Sequence, residues 1–342
     1  MKIANLRGPR DLHIEERPLD TSNLKPDEIW IRTRVSALKI GTDRGNYEGA
    51  EHVPGAPVYP RWVGDSNLGI VMGVGSAVRR VQVGDRVVTR QPHQSEYITN
   101  EAASMVKVPE GVDDEDAVWA HLYALSSFCY RKAHFEPGEN VAVVGLGTLG
   151  LGAVALGPLF GAHLVAIGNS PTRLEMAQRM GAHEGFLYND PDLKAKLDEV
   201  TGGSGIDLVI LTANPWPAYR TALEIVRQHG RVSIVSLLGR GETDLDFNPL
   251  SMSLFYTRGI SLHAVSGPTG YLYPDGGGGS TMENRFSNDR AAEHMLFLMK
   301  TTSLEPKKLI THRFHYSRMV EAYEMIYHRE KNMLGVLFTW ED

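Results

Sequence analysis

Apolar and polar residues alternate with a period of two in the first third of the chain. Residues 28–35 follow this alternation, and residues 68–75 form a compact apolar run that contains glycines. Both patterns are typical of β-strands. Residues 83–88 predict a turn entering a further strand, and residues 96–99 predict one more. Several short strands separated by Gly and Pro turns predict a small barrel-like domain.

Near Asp113 the pattern changes to alternating strands and helices. Four acidic residues at 113–116 precede an apolar stretch, as the N-terminus of a helix prefers. The order expected next is strand 141–144, helix 148–160, strand 164–167, helix 171–180, strand 207–211, helix 218–228 and strand 232–237. This alternation predicts a parallel sheet covered by helices.

The last part of the chain begins with a glycine-rich segment. Residues 268–280 contain four consecutive glycines and predict a loop, either a lid or a disordered segment. Beyond this segment, the expected elements are helices at 291–300 and 317–328 and a terminal strand at 335–338.

The composition and net charge limit the kinds of protein that this chain can be. A chain of 342 residues, 42% hydrophobic and 22% charged, suits two folded domains. The net charge of −6 and the lack of a dense basic run argue against nucleic acid as the main partner. A single cysteine, Cys129, excludes an intrachain disulfide and a multi-cysteine zinc site. With no apolar N-terminal leader, we expect a cytoplasmic protein.

One long uncharged stretch raises the question of a membrane span. Residues 141–168 carry no formal charge when His163 is neutral, and they exceed the roughly 20 residues that cross a bilayer. The stretch is rich in glycine, which favours close packing of a buried strand–helix–strand unit. We therefore expect no membrane contact.

The strongest chemical signal is the sequence Gly145-Leu-Gly147-Thr-Leu-Gly150. It follows a predicted strand and opens a predicted helix, as the dinucleotide-binding pattern requires. In that pattern the first glycine makes the turn, the second admits the pyrophosphate, and the third packs helix against strand. We predict a bound nicotinamide cofactor, contacted also by Thr148 and Leu149 next to the helix N-terminus.

The end of the following strand indicates which cofactor binds. An NAD site places Asp or Glu there, whereas this chain has Gly168-Asn169-Ser170 and then Arg173. Arg173 could pair with a 2′-phosphate, and Asn169 and Ser170 could donate hydrogen bonds, which favours NADP over NAD. The alternative is that Ser170 caps the next helix. Further cofactor contacts are expected at Thr212 and Ser236, which follow later strands of the sheet.

Four further motifs extend a resemblance along almost the whole chain. They are Gly-Thr-Asp at 41–43, Gly-Asp-Ser-Asn-Leu-Gly-Ile-Val at 64–71, Gly-Asp-Arg-Val at 84–87 and Leu-Ile-Thr-His at 309–312. Together with the glycine pattern, they make the chain resemble the medium-chain dehydrogenases/reductases of the alcohol, polyol and threonine dehydrogenase type.

The resemblance implies an α/β fold in which a Rossmann cofactor domain is inserted in a GroES-like, β-rich catalytic domain. The expected division is residues 1–122 and 266–342 for the catalytic domain and 123–265 for the cofactor domain, with the active site between the two. The resemblance also implies a homodimer or homotetramer, paired through a sheet edge near residues 260–265.

The chain departs from this family at its zinc ligands. The resemblance places Ile40 at the position of a cysteine ligand, Asp65 at that of a histidine ligand, and His121 at a third ligand position. The four-cysteine structural zinc loop is missing. Because a catalytic zinc needs three protein ligands and isoleucine cannot coordinate, we predict no zinc. The alternative is a metal held by Asp65, His121 and His93.

A reaction without metal needs another group to stabilise charge on the substrate oxygen. We predict His121 as a general acid, held as an imidazolium by Asp65. Thr42 aligns with the family's proton-relaying hydroxyl. The structural alternatives are a buried histidine beneath the cofactor, a turn aspartate and a helix cap. The candidate substrate-pocket residues are Lys39, Tyr47, Trp62, His93, Trp119 and Tyr123.

These inferences predict a zinc-independent, NADP(H)-dependent oxidoreductase that interconverts a small-molecule alcohol and a carbonyl compound. One alternative is an NADPH-dependent reductase of enones or quinones, because zinc-free relatives of this superfamily carry out that chemistry. The other is a catalytically inactive cofactor-binding protein, since decay of a site also removes metal ligands.

Overall fold

A computed structural model describes residues 1–49, 59–239, 242–266 and 287–341. The chain divides into two compact units, the first formed by Met1–Leu122 with Asn288–Asp342 and the second by Tyr123–Ser287. The first unit therefore resumes at Asn288, where the sequence-based division had it resume at 266. The predicted glycine-rich loop at 268–280 lies outside the described residues.

The N-terminal part of the first unit consists mainly of short strands. Its strands are β1 (Lys2–Leu6), β2 (Leu12–Glu16), β3 (Glu28–Leu38), β4 (Arg61–Trp62), β5 (Asn67–Val74), β6 (Arg86–Thr89), β7 (Glu96–Asn100) and β8 (Met105–Lys107). Its helices are α1 (Ile40–Glu48), α2 (Asp114–Ala117) and the start of α3 (Ala120–Lys132). The acidic run caps α2 as predicted, because the Asp113 carboxylate accepts a hydrogen bond from the Glu115 N–H at 2.9 Å.

The second unit alternates strands and helices. Its strands are β9 (Asn140–Val144), β10 (His163–Gly168), β11 (Glu184–Leu187), β12 (Ile206–Leu211), β13 (Val226–Ile234) and β14 (Ser261–Ala264). Its helices are α4 (Thr148–Phe160), α5 (Pro171–Met180), α6 (Leu193–Val200) and α7 (Trp216–Ile225), with a π-helical turn at Met252–Tyr256. The strands form one parallel sheet in the order β11-β10-β9-β12-β13-β14, which is the Rossmann order.

The C-terminal part completes the first unit. It contains α8 (Asn288–Thr301), β15 (Ile310–His315), α9 (Met319–Tyr327) and β16 (Gly335–Thr339), with short 3-10 turns at Pro306–Leu309 and Tyr316–Arg318. The larger sheet runs β15-β16-β3-β5-β6-β8, with β7 paired to β3, and the smaller sheet runs β2-β1-β4. A Rossmann domain inserted in a GroES-like, β-rich domain confirms the predicted fold class.

One predicted boundary in the second unit is wrong. The helix expected at 218–228 ends at Ile225, and the strand expected to begin at 232 begins at Val226. Val226 pairs with Ile206 in the parallel sheet, and the Arg227 Nε donates to the Asp207 carboxylate at 2.5 Å. These non-local contacts place residues 226–228 in the strand, although the local sequence pattern predicted a helix there.

The uncharged stretch at 141–168 forms a strand, a helix and a strand of the second unit, as predicted. In the part of the chain that the structure describes, no helix has the length and apolar character needed to cross a bilayer.

The hydrophobic core of the first unit joins residues from both ends of the chain. Leu6 and Tyr47 from the N-terminal part pack in one buried cluster with Phe314, Met319 and Phe338 from the C-terminal part. Non-polar burial in a shared core therefore holds the two sequence segments together as one unit.

His93, predicted to line a substrate pocket, belongs to this buried interior. It has no exposed surface, its Nδ1 lies 2.8 Å from the Ser36 Oγ, and its ring meets Phe338 edge-on at 5.0 Å. Burial lowers the pKa of His93 to about 3. The prediction is wrong because the loop after β6 turns this side chain inwards, where it stays neutral.

Phe338→Ala tests whether the C-terminal strand is part of the first unit's core. Phe338 is fully buried, so we expect its truncation to lower the free energy of unfolding by about 3–5 kcal/mol. Phe297→Ala is the matched control, because Phe297 is 58% exposed and its loss should cost less than about 0.5 kcal/mol. Urea unfolding followed by circular dichroism gives both values, and equal effects would contradict the assignment.

His93 also predicts how stability depends on pH. The unfolded state binds a proton at His93 below about pH 6.5, whereas the folded state does so only near pH 3. The stabilisation is therefore complete above pH 6.5 and is lost as the pH falls through this window, by about 1.4 kcal/mol per pH unit. Urea unfolding of wild type and His93→Gln between pH 7 and 5 should show a slope smaller by one proton in the variant. Equal slopes would refute the neutral buried state.

Candidate functional site

Close packing shapes the loop between β9 and α4, which we call the fingerprint loop (residues 145–150). Gly145 has φ +100°, and a Cβ there would lie 2.7 Å from the Ala213 nitrogen. A Cβ on Gly150 would lie 1.9 Å from the Gly145 carbonyl oxygen. A Cβ on Gly147 would have no heavy atom within 4 Å, so the loop is open at this residue, which is the N-cap of α4. The opening lies where a helix N-terminus binds an anion.

Backbone groups supply the donors at this opening. The first N–H groups of α4, including those of Thr148 and Leu149, have no partner within the helix, because the preceding turn is absent. Thr212, predicted to contact the cofactor, donates its hydroxyl to the Gly145 carbonyl at 2.7 Å. Its side chain therefore positions the fingerprint loop.

Two hydroxyls at the carboxyl ends of strands are buried without a hydrogen bond. Ser170 follows β10 and occupies the N-cap position of α5, but its hydroxyl makes no capping bond, so the capping alternative is wrong. The Ser170 Oγ and the Ser236 Oγ, which follows β13, have no hydrogen-bond partner among the described residues. Buried hydroxyls of this kind normally bond a ligand or water. Gly168 is the last residue of β10, and the next residue, Asn169, is exposed.

Arg173 places a cation next to the fingerprint loop. Its Nη1 donates to the Leu146 carbonyl at 2.7 Å, and it forms no ion pair with a carboxylate of the described chain. Burial lowers the pKa of the Arg173 guanidinium, which nevertheless stays charged at neutral pH. A partly buried cation without a counter-charge is suited to bind an anionic group.

A group of charged side chains in the first unit lies around Asp65. The Lys39 Nζ lies 2.7 Å from the Asp65 Oδ1, and the Arg90 guanidinium lies 3.5 Å from the Asp65 Oδ2. Partial desolvation raises the pKa of Asp65, but the charge and hydrogen bond of Lys39 outweigh it, so the net pKa lies below its usual range. We call Lys39, Asp65, Arg90 and His121 the Asp65 cluster.

A second carboxylate anchors this cluster from behind. Asp43 in α1 is buried and accepts hydrogen bonds from the Lys39 N–H at 2.8 Å, the Gly64 N–H at 3.1 Å and the Tyr323 hydroxyl at 3.0 Å. Burial, with the nearby charge of Asp65, raises the pKa of Asp43 to about 6. Asp43 thus fixes the backbone of Lys39 and of Gly64, the residue directly before Asp65.

His121 is not the imidazolium that the sequence suggested. Burial lowers the pKa of His121 to about 4, and the charges of Lys39 and Arg90 lower it further, while the carboxylates of Asp289 and Asp65 oppose this shift only in part. The carboxylate of Asp65 is bonded to Lys39, and the His121 Nε2 is buried without a hydrogen-bond partner in the described chain. The predicted general acid therefore carries no charge at neutral pH, because it is buried and because Asp65 is paired with Lys39.

The side chains at the family's zinc positions do not suit a metal ion. Ile40 has no donor atom and packs against the hydrophobic core. Asp65 is held by two cations, which repel a third, and His121 is a single remaining ligand. Within residues 1–49, 59–239, 242–266 and 287–341, no three His, Cys, Asp or Glu side chains could hold a metal together.

The predicted substrate-pocket residues do not gather at one place. Tyr47 is fully buried and its hydroxyl bonds the Glu324 carboxylate. Trp62 is 42% exposed under the Arg17 guanidinium. Trp119 and Tyr123 are fully buried, and Tyr123 belongs to the second unit. Of the six residues predicted for the pocket, Lys39 lies in the Asp65 cluster.

Two residues of this arrangement were not among the predicted site residues. Arg90 follows β6 directly, where the shortened loop brings it to Asp65, and no sequence motif marks it. Asp43 lies in the Gly-Thr-Asp motif, which could have suggested its anchoring role. Thr42 is exposed in the first turn of α1, and Lys39 rather than Thr42 is the N-cap.

Comparisons with known proteins agree with this architecture. A family model described as zinc-binding dehydrogenase matches residues 148–269. Sorbitol dehydrogenase of Bacillus subtilis (strain 168) is 25% identical over 302 residues, covering 79% of this chain and 84% of that protein. The structure of galactitol-1-phosphate dehydrogenase from Escherichia coli matches with a TM-score of 0.80 and 19% identity, covering 99% of this chain and 100% of that one.

Alcohol dehydrogenase TADH from Thermus sp. ATN1 matches with a TM-score of 0.78 and 20% identity, covering 99% of each chain. These structural matches show the fold, and the sequence relatives include sorbitol and threonine dehydrogenases. The glycine pattern and the sheet order agree with these matches, so the chain is similar over most of its length to medium-chain dehydrogenases, and residues 148–269 match the zinc-binding dehydrogenase family.

Proposed function

We propose that this protein is a metal-independent, NADP(H)-dependent oxidoreductase that interconverts an alcohol and a carbonyl compound. The observation that carries the proposal is the 2.7 Å ion pair between the Lys39 Nζ and the Asp65 Oδ1. This ion pair places the Lys39 ammonium next to the carboxylate of Asp65, which aligns with a zinc ligand of the related dehydrogenases. The cation supplies positive charge where relatives of the zinc type use a metal.

The residues of the second unit fit a bound NADP(H), which supplies or accepts the hydride. The open fingerprint loop and the N-terminus of α4 would hold the pyrophosphate. Ser170 and Arg173 would hold the 2′-phosphate, since no Asp or Glu occurs in residues 168–173 to repel it. The orphaned Ser236 hydroxyl would take a further hydrogen bond from the cofactor.

His121 enters this proposal as a neutral side chain. Its Nε2 is buried and unbonded within the described residues, so it can exchange a hydrogen bond with a substrate oxygen without a change of charge. The relay through Thr42, the oligomeric state and the cytoplasmic location stay predictions.

Arg173→Ala tests the choice of cofactor. Loss of a charged hydrogen-bond donor to phosphate should weaken NADPH binding by about 1.5–3 kcal/mol, or roughly 10- to 150-fold, and leave NADH binding almost unchanged. Arg179→Ala, at the exposed end of the same helix, is the matched control. Titration calorimetry with both cofactors measures the effect. An equal loss for NADPH and NADH would mean that Arg173 only supports the fingerprint loop.

Metal removal tests the chemistry. We expect the purified protein to contain far less than one zinc per chain and to oxidise NADPH with ketones or aldehydes at the same rate before and after dialysis against a chelator. The physical reason is that Asp65 is already neutralised by protein cations. Stoichiometric zinc with chelator-sensitive turnover would overturn the proposal. Turnover of enones alone would instead establish the reductase alternative.

A further inference from the structure

Hydride addition to a carbonyl group leaves negative charge on oxygen, and this charge requires a proton. This inference rests on the proposed function and concerns the group that provides the proton. We propose that Lys39 is the catalytic proton donor, with its ammonium group aimed by Asp65.

The surroundings of Lys39 restrict where its ammonium can go. The side chain is only 13% exposed, in contrast to the 77% exposure of Lys25, so its long chain is held by packing as well as by charge. An ammonium group has three N–H donors, and the Asp65 carboxylate takes one of them. Two donors remain for a substrate oxygen.

Both ends of the Lys39–Asp65 pair are fixed by Asp43. Its carboxylate accepts hydrogen bonds from the backbone N–H of Lys39 and from that of Gly64, which directly precedes Asp65. Burial of Asp43 protects these bonds from water. The donor is therefore pre-positioned by the buried carboxylate of Asp43 and aimed by the partly buried carboxylate of Asp65, and Asp43 is a positioning residue.

The other members of the Asp65 cluster are poorer donors. A guanidinium does not release its proton in proteins, so Arg90 contributes charge alone. His121 is neutral at physiological pH because burial and two neighbouring cations oppose its protonation. Lys39 is thus the member that is both cationic and able to transfer a proton.

Each hydride that the substrate accepts requires one proton from Lys39. As the carbonyl carbon accepts the hydride, the C=O π electron pair moves to oxygen and forms a new O–H bond with a proton from the Lys39 Nζ. The broken N–H bond leaves its electron pair on nitrogen, and the neutral amine then takes a proton from solvent. In the oxidative direction the amine accepts the alcohol proton as hydride leaves carbon.

Three variants separate the proton from the charge. Lys39→Met removes both, and Lys39→Arg keeps the cation beside Asp65 but cannot give up a proton. Lys25→Met removes an exposed lysine that pairs with Glu28 at 2.9 Å and is the matched control. We expect kcat for ketone reduction to fall about 10²- to 10⁴-fold in both Lys39 variants and to be unchanged in Lys25→Met.

NADPH affinity, measured by calorimetry, should stay within about twofold of wild type in all three variants, because the cofactor-binding residues are untouched. In Lys39→Ala, added methylammonium should restore turnover in a concentration-dependent manner. A merely structural lysine would not show this rescue.

Full activity in Lys39→Arg, or no amine rescue in a folded Lys39→Ala, would overturn the assignment of Lys39. Wild-type protein that binds NADPH but reduces no carbonyl compound would overturn the proposed function itself. Circular dichroism of each variant verifies folding, and Lys39→Arg keeps the ion pair if Lys39→Met does not fold. The two failures are therefore distinguishable.

Discussion

The ion pair between Lys39 and Asp65 is the interaction around which the charged side chains of the Asp65 cluster are arranged. The Asp65 side chain is one-third exposed, so water screens the attraction and the pair adds little to stability. Its importance is geometric. By occupying the carboxylate, Lys39 places a protein cation on Asp65, and burial together with this cation keeps His121 neutral.

The buried carboxylate of Asp43 makes this arrangement possible. Three hydrogen bonds offset part of the cost of burying Asp43, and two of them come from the backbone N–H groups of Lys39 and of Gly64, which precedes Asp65. Tyr323, from the C-terminal part of the chain, gives the third. The cluster thus depends on the shared core that joins both ends of the sequence in one unit.

The second unit relies on a different constraint, which is close packing around glycine. Gly145 and Gly150 have no room for a side chain, whereas Gly147 faces open space. The Thr212 hydroxyl ties the loop to the end of β12. These contacts leave the helix N-terminus, two buried hydroxyls and the Arg173 cation as the groups available to a dinucleotide.

The sequence by itself determined the fold class, because its signals are local. Glycine spacing, helix caps and alternation identify the Rossmann unit, and helices α4 and α5 begin and end where predicted. Strands β1 and β2 and helix α1 were not predicted, since short elements without a clear period depend on pairing with distant residues. The sequence also showed that a zinc ligand is replaced at Ile40 and that no acidic residue follows β10 directly.

Only the tertiary structure decided which charges meet. The spacing of residues 39, 65, 90 and 121 indicates neither which cation pairs with Asp65 nor how deeply His121 is buried, and the imidazolium prediction was wrong for both reasons. Likewise, His93 and Tyr47 look like pocket residues in sequence but are enclosed by core side chains from the other end of the chain. Protonation follows burial and neighbouring charge, and both are properties of the folded molecule.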